Sequence, residues 1–508
     1  MAEVIATAPS LRGSEPGEDE AISEPRLLPP HYRRTSRRCF GTQPRNDGCV
    51  MSSSLPGSLL RSDEPFRRKT VKFSTLGCRL NQYETQAIRE QFLRGGYEET
   101  GDAQDADVFV LNTCSVTSES DRQSRYLIRR FHRSKPEGKV VVTGCYAERN
   151  REEIEAIPGV TLTVLNREKS ELYDLFERHG RDPSCLRRAE PAPRRRFAPL
   201  QISHFEGRSR AYVKVQDGCN HACSFCKVVL ARGPSRSRPV EKVVEEARRL
   251  VDDGYLEVVL TGIQLGAYGY DLRKRQMLVD LLGLLPQIPG LERIRLSSIE
   301  PTDVTDELIS SMASNPRVCP HLHIPLQSGA DQVLERMNRR YRRSAYTDLI
   351  HQLRGSINNF VLTTDVMIGF PGETSEDFEQ TVEVLEETEP YKLHIFPFSP
   401  REGTRAARFQ NTVASDEVRG RRHLAYQLEK KLRRRVQERF LGHTVDVLAE
   451  ETRRGQGWTT GRSRHYLKVR FSVPGAQPGL CYPVRMTQIE GDELLGYAVA
   501  DSVFQSDT

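Results

Sequence analysis

Apolar and polar positions along this chain follow two different rhythms. Strand-length runs dense in Val, Ile, Leu and Phe recur. Between them apolar residues return every three or four positions, as on one face of a helix. Between 69 and 180 the runs TVKFSTL (70–76), DVFVLNTC (107–114) and KVVVTGC (139–145) predict strands. Residues 81–96 and 119–134 predict helices, the first stopping at Gly95-Gly96. The alternation resumes between 210 and 435. Strands are expected at 211–215, 257–262, 293–298, 321–327, 361–370 and 392–398, and helices at 239–253, 303–313, 330–338, 344–355, 375–387 and 415–440. Strand–helix alternation implies parallel sheets covered by helices. The first stretch reads as an amino-terminal parallel α/β domain. The second, with about six β/α units, reads as a partial (β/α)6 barrel whose site lies at the carboxyl ends of its strands. From 441 the pattern turns to period two with turns between (TVDVLAEE, GWTTGRSRHYLKVRF, CYPVRMTQIE, LLGYAVA), which predicts a small β-barrel.

These shifts divide the chain into 1–67, 68–180, 181–208, 209–440 and 441–505. Residues 1–67 are rich in Pro, Ser, Arg and Glu without sustained periodicity and read as a disordered extension. Met51 could be a second start, and Arg33, Arg34, Arg37 and Arg38 read as a solvated tail. The linker is Pro- and Arg-rich, with eight Arg against three acids between 180 and 210. It suits phosphate contact or a solvated connector equally well. No run approaches the ~20 apolar residues of a membrane span. No secretory leader pattern is evident. The net charge of +6 is too small by itself to argue for nucleic acid. Eleven cysteines make an odd count, and six stand in ligand-like settings, which favours a reducing, cytoplasmic compartment over a disulfide framework.

The cysteines carry the candidate chemistry. Cys219, Cys223 and Cys226 follow a Cys-x3-Cys-x2-Cys spacing with no fourth cysteine nearby. Three thiolates on one loop can hold a cubane iron–sulfur cluster by three irons and leave the fourth open. A zinc site with a distant fourth ligand, or three free thiols, are the alternatives. Cys78, Cys114 and Cys145 each end one of the three predicted amino-terminal strands. In an open parallel sheet, ligands collect at the carboxyl ends of strands. The three can therefore converge into a second thiolate site; the alternative is three small buried hydrophobes. Cys185, Cys319 and Cys481 read as structural, and His321 and His323, on one strand face, have no ligand-like neighbour in sequence.

The words around these cysteines resemble a known family. CNHACSFC followed by ARGPSRSR, with LGCRLNQYET, NTCSVTSESDRQSR and TGCYAE, resembles the radical S-adenosylmethionine methylthiotransferases. Asn81-Gln82-Tyr83-Glu84-Thr85 and Val116-Thr117 look like the MtaB branch, which acts on threonylcarbamoyladenosine in tRNA. HTVDVLAEE with HYLKVRF resembles the TRAM domain, an RNA-binding barrel. Lys227 and Leu230 depart from the family pattern, where apolar and aromatic residues are more common.

The resemblance implies two 4Fe-4S clusters and S-adenosyl-L-methionine. One molecule on the 219/223/226 cluster would be cleaved to a 5′-deoxyadenosyl radical, and a second would methylate sulfur on the 78/114/145 cluster. Phe225 matches an aromatic near the adenine. Thr261, Gly262, Ser298, Glu300, Gln327 and Gly369, at successive strand ends, are of the right type for the ribose, the amino-acid end and close backbone approach. The expected partners are a tRNA anticodon loop and a flavodoxin-like or ferredoxin-like electron donor. Arg340, Arg462, Tyr466 and Lys468 are the candidate RNA contacts, with helix 415–440, which carries nine Lys or Arg against four acids. Related methylthiotransferases acting on isopentenyladenosine tRNA or a ribosomal protein, or a zinc-stabilised RNA-binding protein, are the competing readings.

Overall fold

A computed structural model of the chain describes residues 68–181, 197, 199–453 and 457–499. The extension expected over 1–67 lies outside the described residues. So do Cys185 and the linker arginines Arg187, Arg188, Arg194, Arg195 and Arg196.

The first domain runs β1 (Thr70–Thr75), α1 (Arg79–Arg94), β2 (Glu98–Glu99), β3 (Val108–Thr113), α2 (Ser118–Ser134), β4 (Lys139–Gly144), α3 (Cys145–Arg149), α4 (Arg151–Glu155), β5 (Val160–Val164) and α5 (Leu172–Arg181). Its strands form one parallel sheet in the order β2-β1-β3-β4-β5. β3 is buried at every position and β4 at all but its first, as a parallel strand covered on both faces should be. Thr117 caps α2 by accepting from the backbone N–H of Ser120, and Glu119 and Asp121 stand in the first turn, where the helix dipole favours negative charge. β5 was not expected, because its threonines interrupt the apolar run.

The second domain runs β6 (Ala211–Lys214), β7 (Gln216–Asp217), α6 (Val228–Arg232), β8 (Arg236–Ser237), α7 (Val240–Asp252), β9 (Glu257–Thr261), α8 (Leu278–Leu284), β10 (Arg293–Leu296), α9 (Asp306–Ser314), β11 (His321–His323), α10 (Asp331–Arg336), α11 (Arg343–Ser356), β12 (Val361–Ile368), α12 (Ser375–Thr388), β13 (Lys392–Pro397) and α13 (Ser415–Glu438). Two three-stranded parallel sheets, β6-β9-β10 and β11-β12-β13, are joined by parallel bridges at Ile294–Val318 and Ser298–His323. That makes six strands in chain order, the partial barrel expected. β11 is shorter than the predicted 321–327. Pro325 has no N–H to give the ladder, and Gln327 takes a left-handed φ of 64° before its single bridge to Val366.

Helix α1 docks the first domain on the barrel. Tyr83 and Ala87 enter the barrel's apolar core, and the Tyr83 hydroxyl reaches the Leu200 carbonyl at 2.9 Å and Glu246 at 3.2 Å. The described part of the expected linker is packed chain, not a solvated connector. Leu200, Ile202 and Phe205 are buried, and the Ser203 N–H and hydroxyl donate to Glu90 at 2.8 and 3.0 Å.

A buried charge network crosses the same junction. Glu84 accepts from Lys214 at 2.6 Å, from Arg232 at 2.9 Å and from Lys169. Lys214 and Arg232 also reach Asp217 at 2.9 and 3.0 Å. Burial would raise the Glu84 carboxyl, but Arg232, Lys169 and Lys214 outweigh it and hold it well below the ordinary range.

The third domain is a closed barrel in the order β14-β15-β16-β18-β17, built from β14 (Thr444–Arg453), β15 (Trp458–Ser463), β16 (Lys468–Ser472), β17 (Cys481–Glu490) and β18 (Glu493–Ala498). Two fully buried arginines of β10 fasten it. Arg295 donates to the carbonyls of Arg464 and Ser463 at 3.0 and 3.2 Å, and Arg293 to that of Arg462 at 3.2 Å. Among the described residues no helix is long and apolar enough to cross a membrane.

Candidate active site between two cysteine sets

Strands β1, β3 and β4 are neighbours, so their carboxyl ends lie side by side. Cys78 caps α1, Cys114 follows β3 and Cys145 opens α3. Two glycines make the convergence possible. Gly77 has φ of 91°, and a Cβ there would stand 2.6 Å from the Cys114 Sγ. Gly144 has φ of 104°, and a Cβ would meet the Thr113 carbonyl oxygen at 2.3 Å. Asn81 Nδ2 ties two strand ends together by donating to the carbonyls of Leu76 and Thr113 at 2.7 and 3.0 Å. Burial pushes the Cys114 thiol up to about 12, with Cys145 and Cys78 adding to the effect. Burial also raises Cys145, against the pull of Arg232 and Lys169.

The other set sits on a loop whose neck is the antiparallel pair β7–β8. Gly218 has φ of 79° and no room for a Cβ, which would fall 2.1 Å from the Pro234 carbonyl oxygen. The Cys219 N–H donates to Gly233 at 3.1 Å. The far side of the loop is held from α10. Ser224 donates its N–H to Met337 at 2.9 Å and its hydroxyl to Arg336 at 2.8 Å, and Asn338 Nδ2 reaches the Ala222 carbonyl at 2.7 Å. Burial raises Cys219 to about 11 and Cys226 to about 12, and the neighbouring thiols add to both. Arg339 stands over the loop with Nη1 3.4 Å from the Cys223 Sγ, and its guanidinium pairs with Glu300.

Each trio is three soft donors under mutual repulsion, which metal binding with proton release would relieve. Among the described residues no group of three or more His, Cys, Asp or Glu side chains closes on one metal ion. A cubane instead spreads three thiolates over three irons, so a set of three cysteines with no fourth has the donor number it needs.

The two sets face one cavity of about 220 Å³. Cys145 lines it from the first domain and Cys226 from the loop. Phe225, Met367, Phe396 and Phe398 supply apolar wall; Ser115, Gln327, Asp365, Lys227 and Arg401 supply polar groups. The Gln327 side-chain oxygen is buried without a partner. Asp365 is held by His323 at 3.0 Å. Burial lowers the Lys227 ammonium, and Arg401 lowers it further.

Of the seven residues expected to bind cofactor, Phe225 and Gln327 line this cavity. The others have partners of their own. The Thr261 hydroxyl donates to the Val259 carbonyl at 3.1 Å, Ser298 bridges to His323, and Glu300 is paired with Arg339. A Cβ at Gly262 would meet the Gln216 side chain at 2.9 Å, and one at Gly369 would meet Val418 at 2.5 Å.

Of the RNA candidates, Arg340 is exposed. Lys468 is paired with Asp492 at 3.1 Å. Tyr466 does not offer an open stacking face. Its ring lies on His321 at 4.5 Å, the Arg462 guanidinium is 4.9 Å from its centroid, and its hydroxyl accepts from Arg79 at 3.2 Å. Burial would raise its pKa, but Arg79, Arg462, Arg210 and Arg295 bring it down to about 7. The sequence groups Arg339 with Arg340 in one basic cluster beside Tyr341, but Arg339 touches the loop. Sequence reasoning missed Arg401 and Asp365, which have no local motif.

A three-cysteine loop at the mouth of a six-stranded parallel barrel defines a radical S-adenosylmethionine enzyme. Residues 213–385 match the Radical SAM superfamily, and 70–165 match "Uncharacterized protein family UPF0004". The chain is 38% identical to the threonylcarbamoyladenosine tRNA methylthiotransferase MtaB of Bacillus subtilis, over 79% of this chain and 90% of that one. It is also 38% identical to its namesake from Chlamydia pneumoniae, over 85% and 98%. A tRNA-2-methylthio-N(6)-dimethylallyladenosine synthase of Acidothermus cellulolyticus is 34% identical over 85% and 89%. The chain belongs to the MtaB family of methylthiotransferases. It is an enzyme, and its cofactors are two 4Fe-4S clusters and S-adenosyl-L-methionine. The zinc-stabilised RNA-binding protein is thereby set aside.

Proposed function

We propose that this chain converts N6-threonylcarbamoyladenosine at position 37 of tRNA to its 2-methylthio derivative. In this reading Cys219, Cys223 and Cys226 hold the cluster that binds S-adenosylmethionine, and Cys78, Cys114 and Cys145 hold the auxiliary cluster. Bound there, the clusters and S-adenosylmethionine supply the radical cleavage and the sulfur methylation that turn an inert adenine C2–H into C2–SCH3. The observation that carries the reading is the single cavity lined by both Cys145 and Cys226. One base placed in it can face both cysteine sets without moving.

The chain's own residues do the positioning. Phe225, Met367, Phe396 and Phe398 exclude water and offer apolar faces to a purine. The unpartnered Gln327 oxygen can accept from a base N–H. Arg339 orients the Cys223 side of the loop through Glu300. Arg340 and the exposed Arg419 and Lys430 of α13 are placed for phosphate contact. Anticodon-loop bases are unstacked and can be splayed into such a cavity. The electron for the cleavage comes from a flavodoxin-like or ferredoxin-like donor. Nucleoside mass spectrometry of tRNA from a strain lacking this protein tests the reading. Loss of 2-methylthio-threonylcarbamoyladenosine with its unthiolated parent accumulating is expected; unchanged levels would overturn it.

A further inference from the structure

The cavity between the two cysteine sets is lined by a lysine that no acceptor of the protein pairs. Lys227, directly after Cys226, is only 9% exposed. Among the described residues its amine has no hydrogen bond or ion pair. Four charged side chains stand near it: Arg401, Arg149, Asp121 and Glu402. Arg401 and Arg149 add positive charge beside it, against Asp121 and Glu402. Arg401, 5% exposed, gives Nη2 to the Ser115 hydroxyl at 3.0 Å and to Asp121, while its Nε is buried without a partner. The carboxylate on the cavity wall, Asp365, is engaged by His323. An enclosed lysine whose amine reaches the cavity without a protein acceptor, beside a buried guanidinium N–H that also lacks one, is an arrangement that an anion would satisfy.

Resting on the function proposed above, we infer that Lys227 and Arg401 recognise the carboxylate of the threonylcarbamoyl group and so select this nucleoside over one with an uncharged N6 substituent. A purine lying against Phe225 and Phe398 can extend its N6 substituent along the cavity wall that carries Ser115, Lys227 and Arg401. The threonyl arm ends in the one anionic group of that base, and a charge-assisted hydrogen bond from Lys227 fits it. An isopentenyl arm has no acceptor and would leave both donors unsatisfied, so the pair selects by penalty as well as by attraction. Lys227 is thereby a specificity-determining residue.

The test compares two anticodon stem-loop RNAs, one bearing threonylcarbamoyladenosine and the other its methyl ester, which removes only the charge. Binding is measured to the reconstituted enzyme, wild type, Lys227→Met and Lys227→Arg, alongside iron content and 5′-deoxyadenosine formation. Wild type is expected to bind the acid roughly tenfold or more tighter than the ester. Lys227→Met should bind both equally, at about the level of wild type with the ester, with iron content unchanged. Lys227→Arg should restore most of the discrimination. The inference is overturned if Lys227→Met still prefers the acid as wild type does, or if the variant alters the S-adenosylmethionine requirement and not the acid–ester ratio. If Lys227→Met fails to assemble, the ratio measured on Lys227→Gln decides the same question. Failure of the underlying function is separately visible, as wild type that methylthiolates neither RNA.

Discussion

The two cysteine sets reach the same donor count by opposite means. Cys219, Cys223 and Cys226 lie within eight residues of one loop, and a two-stranded neck and a few hydrogen bonds from α10 shape it. Cys78, Cys114 and Cys145 span 68 positions and meet only because β1, β3 and β4 are adjacent in one sheet. A loop site is set by local backbone, whereas a topological site is set by the whole domain. The loop brings Phe225 and Cys226 to a cavity shared with Gln327 and Met367 of the barrel. The sheet edge brings Cys145 to the same cavity from the first domain, so the cavity depends on the packing of the two domains.

Several variants should separate the two designs. The largest effect is expected at Cys226→Ala, which removes a loop donor. Formation of 5′-deoxyadenosine should fall to background while roughly half of the iron remains, by chromatography and iron analysis. Glu84→Gln comes next. It leaves Lys169, Lys214 and Arg232 buried without their shared carboxylate and should cost about 3–5 kcal/mol in chemical denaturation. Because that network joins the domains, methylthiolation should fall further than S-adenosylmethionine cleavage.

Two glycine substitutions come third, each costing about 1–3 kcal/mol of backbone strain. Gly218→Ala drives a Cβ into the Pro234 carbonyl and should impair S-adenosylmethionine cleavage. Gly77→Ala presses on Cys114 and should spare that cleavage while lowering auxiliary-cluster occupancy.

The smallest effects are in pH. The cluster-free protein carries Cys114 and Cys226 raised to about 12 and Cys219 to about 11, above the ordinary thiol value of 9. The folded state then holds protons that the unfolded chain releases, so stability should fall as pH rises from about 9 to 12. Iron ligation removes those protons, and the loaded enzyme should not show the drop in thermal melts. Tyr466 acts in the opposite sense. Its pKa of about 7 lies below the ordinary 10, so its contribution is present above pH 10 and lost as pH falls through 7. Tyrosinate absorbance near neutral pH, absent in Tyr466→Phe, checks it.

Much of this was readable in the chain because its signals are local. Cys78, Cys114 and Cys145 each end a predicted strand, and the structure sets them just after β1, β3 and β4. The six-strand barrel and closing β-barrel followed from periodicity. What periodicity could not show is which side of a residue faces what. At Gly262 and Gly369 the protein atoms that crowd a Cβ belong to Gln216 and Val418, residues far away in sequence. Arg340 and Arg339 are indistinguishable as letters, but a one-residue shift turns the guanidinium from solvent to Cys223. Tyr466 reads as an exposed stacking ring because the arginines that enclose it come from positions 79, 210 and 295. Contacts across hundreds of residues leave no trace in a local window.

The most direct test is the triple variant Cys78→Ala, Cys114→Ala, Cys145→Ala, reconstituted anaerobically and supplied with S-adenosylmethionine, reductant and threonylcarbamoyladenosine RNA. The account predicts about four irons per chain in place of about eight, continued formation of 5′-deoxyadenosine, and no methylthiolated product. Loss of 5′-deoxyadenosine in a folded variant, or methylthiolated RNA despite the missing cysteines, would contradict the division of labour between the two sets.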